Sequence, residues 1–207
     1  MTNRYAFAAA GIVVATLGGI YAYTELAPRL SGDPYTQCRN GAVAGDIGGP
    51  FELISEDGAL VTDADLITDP TLLYFGYTFC PDVCPLDAMR NGRAIEVLDA
   101  QGIAANTAFI TIDPARDTPE VLSLYTDNFH DRMIGLTGSE AQVKAASDAY
   151  RTYYRKVEDG DDEEYYLMDH STFSYIVLPE IGFVDFVRRE DTPEEVAARM
   201  ACFAAIG

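Results

Sequence analysis

The stretch from Leu72 to Asp87 constrains the fold of this chain more strongly than any other part of its sequence. It begins with a short, apolar and aromatic-rich run, Leu72 to Tyr77, which is typical of a buried strand. Two cysteines, Cys80 and Cys84, follow that run. Pro85 then opens a segment that can be helical, because proline is well accommodated at the first position of a helix. The sequence therefore predicts a strand, a cysteine-bearing turn and a helix in succession.

The predicted turn places both sulfurs at the N-terminus of a helix, with Cys84 at or near the cap and Cys80 one turn earlier. The unpaired N–H groups and the dipole of a helix N-terminus favour a thiolate over a thiol, so we expect a lowered pKa for both cysteines. A close pair of such thiols serves either disulfide exchange or the binding of a soft metal ion. The turn alone leaves both uses open.

The overall charge of the chain argues against one class of partner. The formal net charge is −19 at pH 7 over 207 residues, and so acidic a surface repels the phosphates of nucleic acids. The length is sufficient for one domain with a hydrophobic core. We therefore expect one soluble domain that does not bind nucleic acid.

The N-terminal segment 5–24 contains no charged residue and is mostly apolar or small. A helix of this length spans about 30 Å, the thickness of the hydrocarbon core of a bilayer. The apolar region of a secretory signal peptide is shorter, about 7–15 residues, so we expect an uncleaved single transmembrane helix within residues 1–27. Arg4 before the segment, against Glu25 and Arg29 after it, weakly favours a cytoplasmic N-terminus. The folded domain would then face an oxidising space, the periplasm, from the bacterial inner membrane.

Residues 28–47 are rich in glycine and proline and are expected to link the membrane segment to a folded domain at 48–207. In that domain, strand-like segments alternate with segments that carry helix-start signals. The predicted strands are Phe51–Ile54, Ala59–Thr62, Leu72–Tyr77, Asn106–Asp113, Met133–Thr137, Phe173–Leu178 and Gly182–Val187. The predicted helices are Asp63–Thr68, Pro85–Gln101, one from Pro119, Glu140–Tyr154 and one from Pro193. A dithiol at a strand-to-helix turn within this alternation predicts an α/β, thioredoxin-like fold.

The chain offers two histidines as further metal ligands. His130 follows a predicted helix and is expected to cap the helix end or to face solvent. His170 lies just before a predicted strand, and it would complete a set of two thiolates and one imidazole with Cys80 and Cys84, although a histidine near a strand is usually structural. Such a set suits Cu(I) and would also accept Cu(II) or Zn(II), whereas structural zinc takes four protein ligands, so copper is favoured. Met168 is a distant candidate for an extra ligand, or simply packs.

Several motifs of the chain together resemble those of the SCO/SenC family of membrane-anchored, copper-binding thioredoxin-fold proteins. The resemblance runs from about Gly48 to about Ala201, and the apolar N-terminal segment also fits. The motifs that carry it are Phe75-Gly76-Tyr77-Thr78-Phe79-Cys80-Pro81-Asp82-Val83-Cys84-Pro85, Ile112-Asp113-Pro114, Arg116-Asp117-Thr118-Pro119-Glu120, Asp169-His170-Ser171 and Gly182-Phe183-Val184-Asp185.

This resemblance implies that Cys80, Cys84 and His170 ligate copper, as Cu(I) or Cu(II). It implies a copper chaperone that assists assembly of the binuclear copper centre of cytochrome c oxidase subunit II. The chaperone would deliver metal, reduce the target's cysteines through the Cys80–Cys84 dithiol, or do both, and a periplasmic copper donor would supply it. An enzymatic thiol–disulfide oxidoreductase activity is left open.

Two features depart from the family pattern: the long acidic run Glu158–Glu164, and the pair Cys38 and Cys202. Since the chain has four cysteines and the predicted site needs Cys80 and Cys84, we hypothesise that Cys38 and Cys202 form a structural disulfide.

Three other functions use the same cysteines. A membrane-anchored thiol–disulfide reductase would need Cys80 and Cys84 but not His170, and more usually carries a C-x-x-C motif. A redox or copper sensor would have the same sequence features. A thiol peroxidase is a weaker alternative, suggested by the faint likeness of Thr78-Phe79-Cys80-Pro81 to a peroxiredoxin loop.

Overall fold

The computed structural model describes residues 13–24, 32–41, 45–157 and 166–206. The chain divides into two compact units, Met1–Cys38 and Arg39–Gly207. The predicted domain boundaries at residues 27 and 47 stay predictions.

The described part of the first unit contains a helix at residues 13–24 (α1) and a 3-10 helix at Pro34–Cys38. Among the described residues, no helix combines the length and the apolar character that crossing a bilayer requires. Residues 5–12 of the predicted transmembrane helix lie outside the described part of the chain.

The described part of the second unit consists of strands and helices in alternation, as the sequence predicts. The strands are β1 Glu52–Ser55, β2 Leu60–Thr62, β3 Thr71–Gly76, β4 Asn106–Thr111, β5 Met133–Thr137, β6 Tyr154–Lys156, β7 Met168–His170, β8 Ser174–Leu178 and β9 Gly182–Val187. The helices are α2 Asp63–Leu66, α3 Val83–Ala100, α4 Pro119–Thr126, α5 Glu140–Ala149 and α6 Pro193–Ala204.

Seven strands form one sheet in the order β2-β1-β5-β4-β3-β8-β9, and β6 and β7 form a separate two-stranded sheet. Strand β3 lies inside the large sheet, where it pairs parallel with β4 and antiparallel with β8. All six residues of β3 are buried, which explains its continuous apolar run, because a strand covered on both faces needs no polar side. The strand that leads into the cysteines is thus paired along both edges and buried along its whole length.

The helix starts that the sequence predicts from polar cap residues are confirmed. The side chains of Thr118, Ser139 and Thr192 each accept a hydrogen bond from a backbone N–H of the first helical turn. Each cap satisfies one of the N–H groups that a helix start leaves without a partner.

The predicted start of α3 is wrong by two residues, because the helix begins at Val83 and not at Pro85. Pro85 therefore occupies the third helical position, which costs no hydrogen bond since the first N–H groups of a helix have no intrahelical partner. As a consequence Cys84 lies inside the first turn of the helix.

The predicted helix Glu140–Tyr154 is also wrong at its end, since α5 stops at Ala149. Arg151 adopts a left-handed backbone conformation with φ of 57°, which a helix cannot continue through. Tyr154 then pairs with His170 in the small β6–β7 sheet. The acidic run 158–164 lies outside the described residues.

Candidate metal centre

Cys80, Cys84 and His170 lie together beyond the end of β3, although 86 positions separate Cys84 from the histidine. Their ligand atoms, the two Sγ atoms and a ring nitrogen, all lie within 4.8 Å of one another. The Cys84 Sγ is 3.4 Å from the His170 Nε2, and the backbone N–H of Cys84 donates to the Sγ of Cys80 at 3.4 Å. Both cysteines are free thiols.

The two cysteines differ in how their thiols ionise. The pKa of Cys80 is lowered to about 3, first by a hydrogen bond from the Cys84 side chain and then, against the opposing effect of burial, by His170 and by the backbone N–H groups of Asp82 and Cys84. Burial raises the pKa of Cys84 above its usual range, and the neighbouring Cys80 raises it further. The metal-free pair therefore holds one proton, with a thiolate at Cys80 and a thiol at Cys84.

The expectation that both cysteines have a lowered pKa is therefore wrong for Cys84. Its side chain is fully buried (0 % exposed), whereas that of Cys80 is 9 % exposed. Removal from water disfavours the charged thiolate, and at Cys84 this outweighs the favourable position at a helix start.

Hydrogen bonding fixes the orientation of the His170 ring. Its Nδ1 lies 2.8 Å from the carbonyl oxygen of Ser171, and since a carbonyl can only accept, Nδ1 carries the proton. Nε2 is consequently the ring nitrogen that faces the sulfurs. The edges of the Tyr74 and Tyr77 rings also flank the imidazole, with centroid distances of 6.3 and 5.8 Å. A histidine held by a backbone carbonyl through its other nitrogen is the usual arrangement of a metal ligand.

The β6–β7 hairpin brings His170 to the cysteines, and the sequence did not predict it. His170 is opposite Tyr154, and Met168 is opposite Lys156. The backbone N–H of Met168 donates to the hydroxyl of Tyr77 at 3.2 Å, which ties β7 to the segment after β3. Met168 itself packs against the hydrophobic core.

The other candidate residues lie outside this cluster. The His130 ring accepts a hydrogen bond from the backbone N–H of Arg132 at 3.0 Å, and its side chain is only 11 % exposed, so the expectation that it faces solvent is wrong. The backbone N–H of His130 donates to the carbonyl of Thr126, the last residue of α4, at 3.5 Å, which agrees with the alternative that it caps the helix end. Cys38 and Cys202 are not among the free thiols, and their mutual pairing stays a prediction.

A buried polar network, which sequence reasoning missed, joins the helix of Cys84 to the strand that follows His170. Arg90 on α3 donates to Asp87 at 2.7 Å and to the hydroxyl of Ser174 on β8 at 2.9 Å. Asn91 donates to the same hydroxyl at 2.9 Å. The only signal in the sequence is the presence of polar residues inside a helix that packs on the sheet, which does not specify their partners.

Known proteins resemble this chain over most of its length. The family model described as SCO1/SenC matches residues 39–205. Protein SenC of Rhodobacter capsulatus is 46 % identical over 205 residues, which cover 98 % of this chain and 91 % of that protein. The structure of Arabidopsis thaliana ScoI with copper bound is 38 % identical at a TM-score of 0.70, covering 75 % of this chain and 98 % of that one. The structure of Bradyrhizobium japonicum ScoI with copper bound is 37 % identical at a TM-score of 0.68, with the same coverage of 75 % and 98 %. The predicted α/β, thioredoxin-like fold is confirmed by these structural matches.

Proposed function

The chain belongs to the SCO1/SenC family, and from that premise we propose that it binds one copper ion through Cys80, Cys84 and His170. The observation that carries the proposal is the convergence of two sulfurs and a ring nitrogen within 4.8 Å. Thiolate and imidazole ligands suit copper, and Cu(I) in particular. Solved relatives with copper bound support the choice of metal.

The donor set fits copper as a cargo that has to be released again. Cys80 is already a thiolate, Nε2 of His170 offers a lone pair, and Cys84 gives up its proton when the metal binds. Three protein ligands leave a coordination position open for a ligand of the partner. Because Cys80 is the more exposed of the two sulfurs, an incoming thiolate meets the metal from the side of Cys80.

The role that we propose in the cell is assembly of cytochrome c oxidase. The acceptor is the binuclear copper centre of subunit II, and a periplasmic copper donor loads the protein. We further propose that residues 5–24 anchor the chain in the bacterial inner membrane with the copper domain in the periplasm. The family membership supports the assembly role, and the uncharged apolar segment supports the anchor.

A second candidate function, thiol–disulfide reduction, is favoured by the lowered pKa of Cys80. The Cys80 thiolate would attack a disulfide of the target to form a mixed disulfide, and Cys84 would then displace the target's second sulfur. The target disulfide is thereby reduced to two thiols while Cys80 and Cys84 become oxidised to a disulfide. In this reaction His170 is not a ligand and contributes only one of several effects that lower the pKa of Cys80, which provides the means to separate the two functions.

Replacement of the histidine tests which function the site performs. We expect His170→Ala to weaken Cu(I) binding by more than about 100-fold, since loss of a mere outer-shell partner already costs about 10–100-fold. Disulfide exchange with a small-molecule disulfide should stay within about tenfold of the parent, because it depends on the sulfurs. Cu(I) affinity is measured by competition with a chromophoric chelator, and oxidase assembly by complementation of a deletion strain.

The matched control is His130→Ala, which removes the chain's other histidine. Because His130 lies outside the cluster, this variant should bind Cu(I) as the parent does. Parental copper affinity and full oxidase assembly in His170→Ala would show that His170 is structural and would leave the reductase function as the better explanation. A parent protein that binds no copper would overturn the proposed function itself.

A further inference from the structure

The turn that follows β4, residues 112–117, provides no metal ligand, yet it contacts both of the segments that do. The turn is held by its own backbone, since the N–H groups of Arg116 and Asp117 donate to the carbonyl of Asp113 at 3.2 and 3.0 Å. Side chains of the same turn reach in two directions. We call the contacts of Asp117 the cysteine arm and those of Asp113 and Arg116 the histidine arm.

The cysteine arm holds the segment that leads into Cys80. The Asp117 carboxylate is fully buried (0 % exposed). It accepts hydrogen bonds from the backbone N–H and the hydroxyl of Thr78, at 3.0 and 2.6 Å, and from the hydroxyl of Thr111 at 2.6 Å. Hydrogen bonds to a buried carboxylate are stronger than neutral ones. Thr78, two positions before Cys80, is thereby fixed to the end of β4.

The histidine arm holds the segment that leads into His170. Arg116 and Asp113 form an ion pair at 2.5 Å, and both residues bind Tyr166. Arg116 Nη1 donates to the Tyr166 carbonyl at 3.0 Å, and the Tyr166 hydroxyl donates to Asp113 at 2.6 Å. The guanidinium also lies 3.6 Å from the centroid of the Tyr166 ring, a favourable cation–π contact. A weaker contact of the same kind, at 4.8 Å, is made with the ring of Phe79, which precedes Cys80.

The histidine segment needs such support, because β6 and β7 are three residues each and pair only with each other. An isolated two-stranded hairpin is marginally stable in water. Metal ligands must nevertheless be held to within fractions of an ångström if binding is not to be weakened by the cost of ordering them.

We propose that residues 112–117 act as a clamp that positions the Cys80 segment and the His170 segment relative to each other, with Arg116 acting mainly through His170 and Asp117 acting through Cys80. The clamp gives a role to residues 112–117, a motif that provides no copper ligand. The proposal of the clamp rests on the proposed copper site. Asp113, Arg116 and Asp117 are positioning residues, because none of them is a ligand.

A double-mutant cycle on Cu(I) affinity tests the histidine arm. We expect Arg116→Met to weaken Cu(I) binding by about tenfold in the parent, the lower end of the effect of outer-shell partners. In a His170→Ala background the same substitution should cost clearly less affinity than in the parent, because the contact with the Phe79 ring still acts on the Cys80 segment while the contacts that act through His170 no longer matter. Asp117→Asn should weaken binding in both backgrounds, because the Cys80 segment is present in both.

The matched control is Arg132→Met, which removes an exposed ion pair with Asp99 at the opposite end of α3 and should leave Cu(I) affinity unchanged. Tyr166→Phe is a milder second variant, since it removes only the hydroxyl that binds Asp113, and it should give the same pattern as Arg116→Met at smaller amplitude. Equal losses of affinity for Arg116→Met in both backgrounds, or no loss in the parent, would overturn the clamp.

Amide hydrogen exchange of the reduced, metal-free protein gives a readout that is independent of copper. Both Arg116→Met and Tyr166→Phe should speed exchange at the Met168 N–H, which donates to Tyr77, and leave that of the Thr78 N–H unchanged. Exchange that is unaltered at Met168 would overturn the clamp even if the parent binds copper, whereas a parent that binds no copper would overturn only the proposed function.

Discussion

In the metal-free site Cys80 is charged and Cys84 is protonated, so Cu(I) can take the place of one proton. The metal-free dithiol carries one negative charge on Cys80 and one proton on Cys84. Replacement of that proton by Cu(I) leaves the pair with the same net charge, so binding does not add a charge to a buried site. Binding of Cu(II) would instead bring the net charge of the pair to zero, which burial does not oppose. The preference for the reduced ion therefore rests on the softness of the two thiolate ligands.

The number of protons released on binding tests this division. Between pH 7 and 8 Cys80 has already lost its proton, because its pKa is lowered to about 3, and Cys84 keeps its proton, because burial raises its pKa. We expect the dithiol to release about one proton per Cu(I), so that affinity falls about tenfold for each unit by which the pH is lowered. Titration calorimetry in buffers of different ionisation enthalpy measures the release. Release of two protons would mean that both cysteines are thiols before copper binds.

At the scale of elements, local sequence signals predicted the segments that are stabilised locally. The apolar run of β3 and the helix starts at Pro119 and Pro193 all depend on neighbours in sequence, and all were found. The β6–β7 pair was not predicted, because strands of three residues show too little alternation and the two strands are not adjacent in sequence.

The candidate site was predicted only in part for the same reason. The spacing of Cys80 and Cys84 indicated a dithiol at a strand-to-helix turn, but nothing local to His170 indicates that its ring faces them. The raised pKa of Cys84 likewise results from burial by distant segments. The resemblance of motifs supplied the ligand set that local patterns could not.

Close packing of β3 against α3 makes Gly76 essential for the geometry of the site. A Cβ at position 76 would lie 2.7 Å from a ring atom of Tyr74 and 3.1 Å from the Sγ of Cys84. We expect Gly76→Ala to lower the free energy of unfolding by about 1–3 kcal/mol, the usual cost of overpacking. It should also weaken Cu(I) binding, because Cys84 has to move. Urea unfolding and chelator competition measure the two effects.

Gly135→Ala is the matched control for Gly76→Ala. A Cβ at position 135 on β5 would lie 2.7 Å from both Glu56 and Leu122, so its cost in unfolding free energy should be similar. No metal ligand is among those contacts, and Cu(I) affinity should be retained. Equal losses of affinity in the two variants would show that general destabilisation, and not displacement of Cys84, weakens the site.

At the scale of the whole molecule, copper binding is a property of the folded domain. The three proposed ligands come from segments separated by up to 90 positions, Cys80 to His170, and they meet only when β3, α3 and the β6–β7 hairpin are in place. A metal that binds the folded chain more tightly than the unfolded one stabilises it in proportion to the logarithm of free metal over Kd. The matched family region, residues 39–205, contains all three proposed ligands.

The last prediction concerns attachment of the chain to the membrane through residues 5–24. Because this segment has no charge and, as a helix, would span about 30 Å, we expect the full chain to stay in the membrane pellet after an alkaline wash. A variant truncated to begin at Ser31 should be soluble, folded and able to bind Cu(I) with the affinity of the full chain, since every proposed ligand lies after that point. Immunoblotting of the washed fractions and terminal sequencing of the mature protein measure the outcome. Recovery of a mature chain that lacks residues 5–24, or release of the full chain by the wash, would show that the segment is a cleaved or peripheral one and not an anchor.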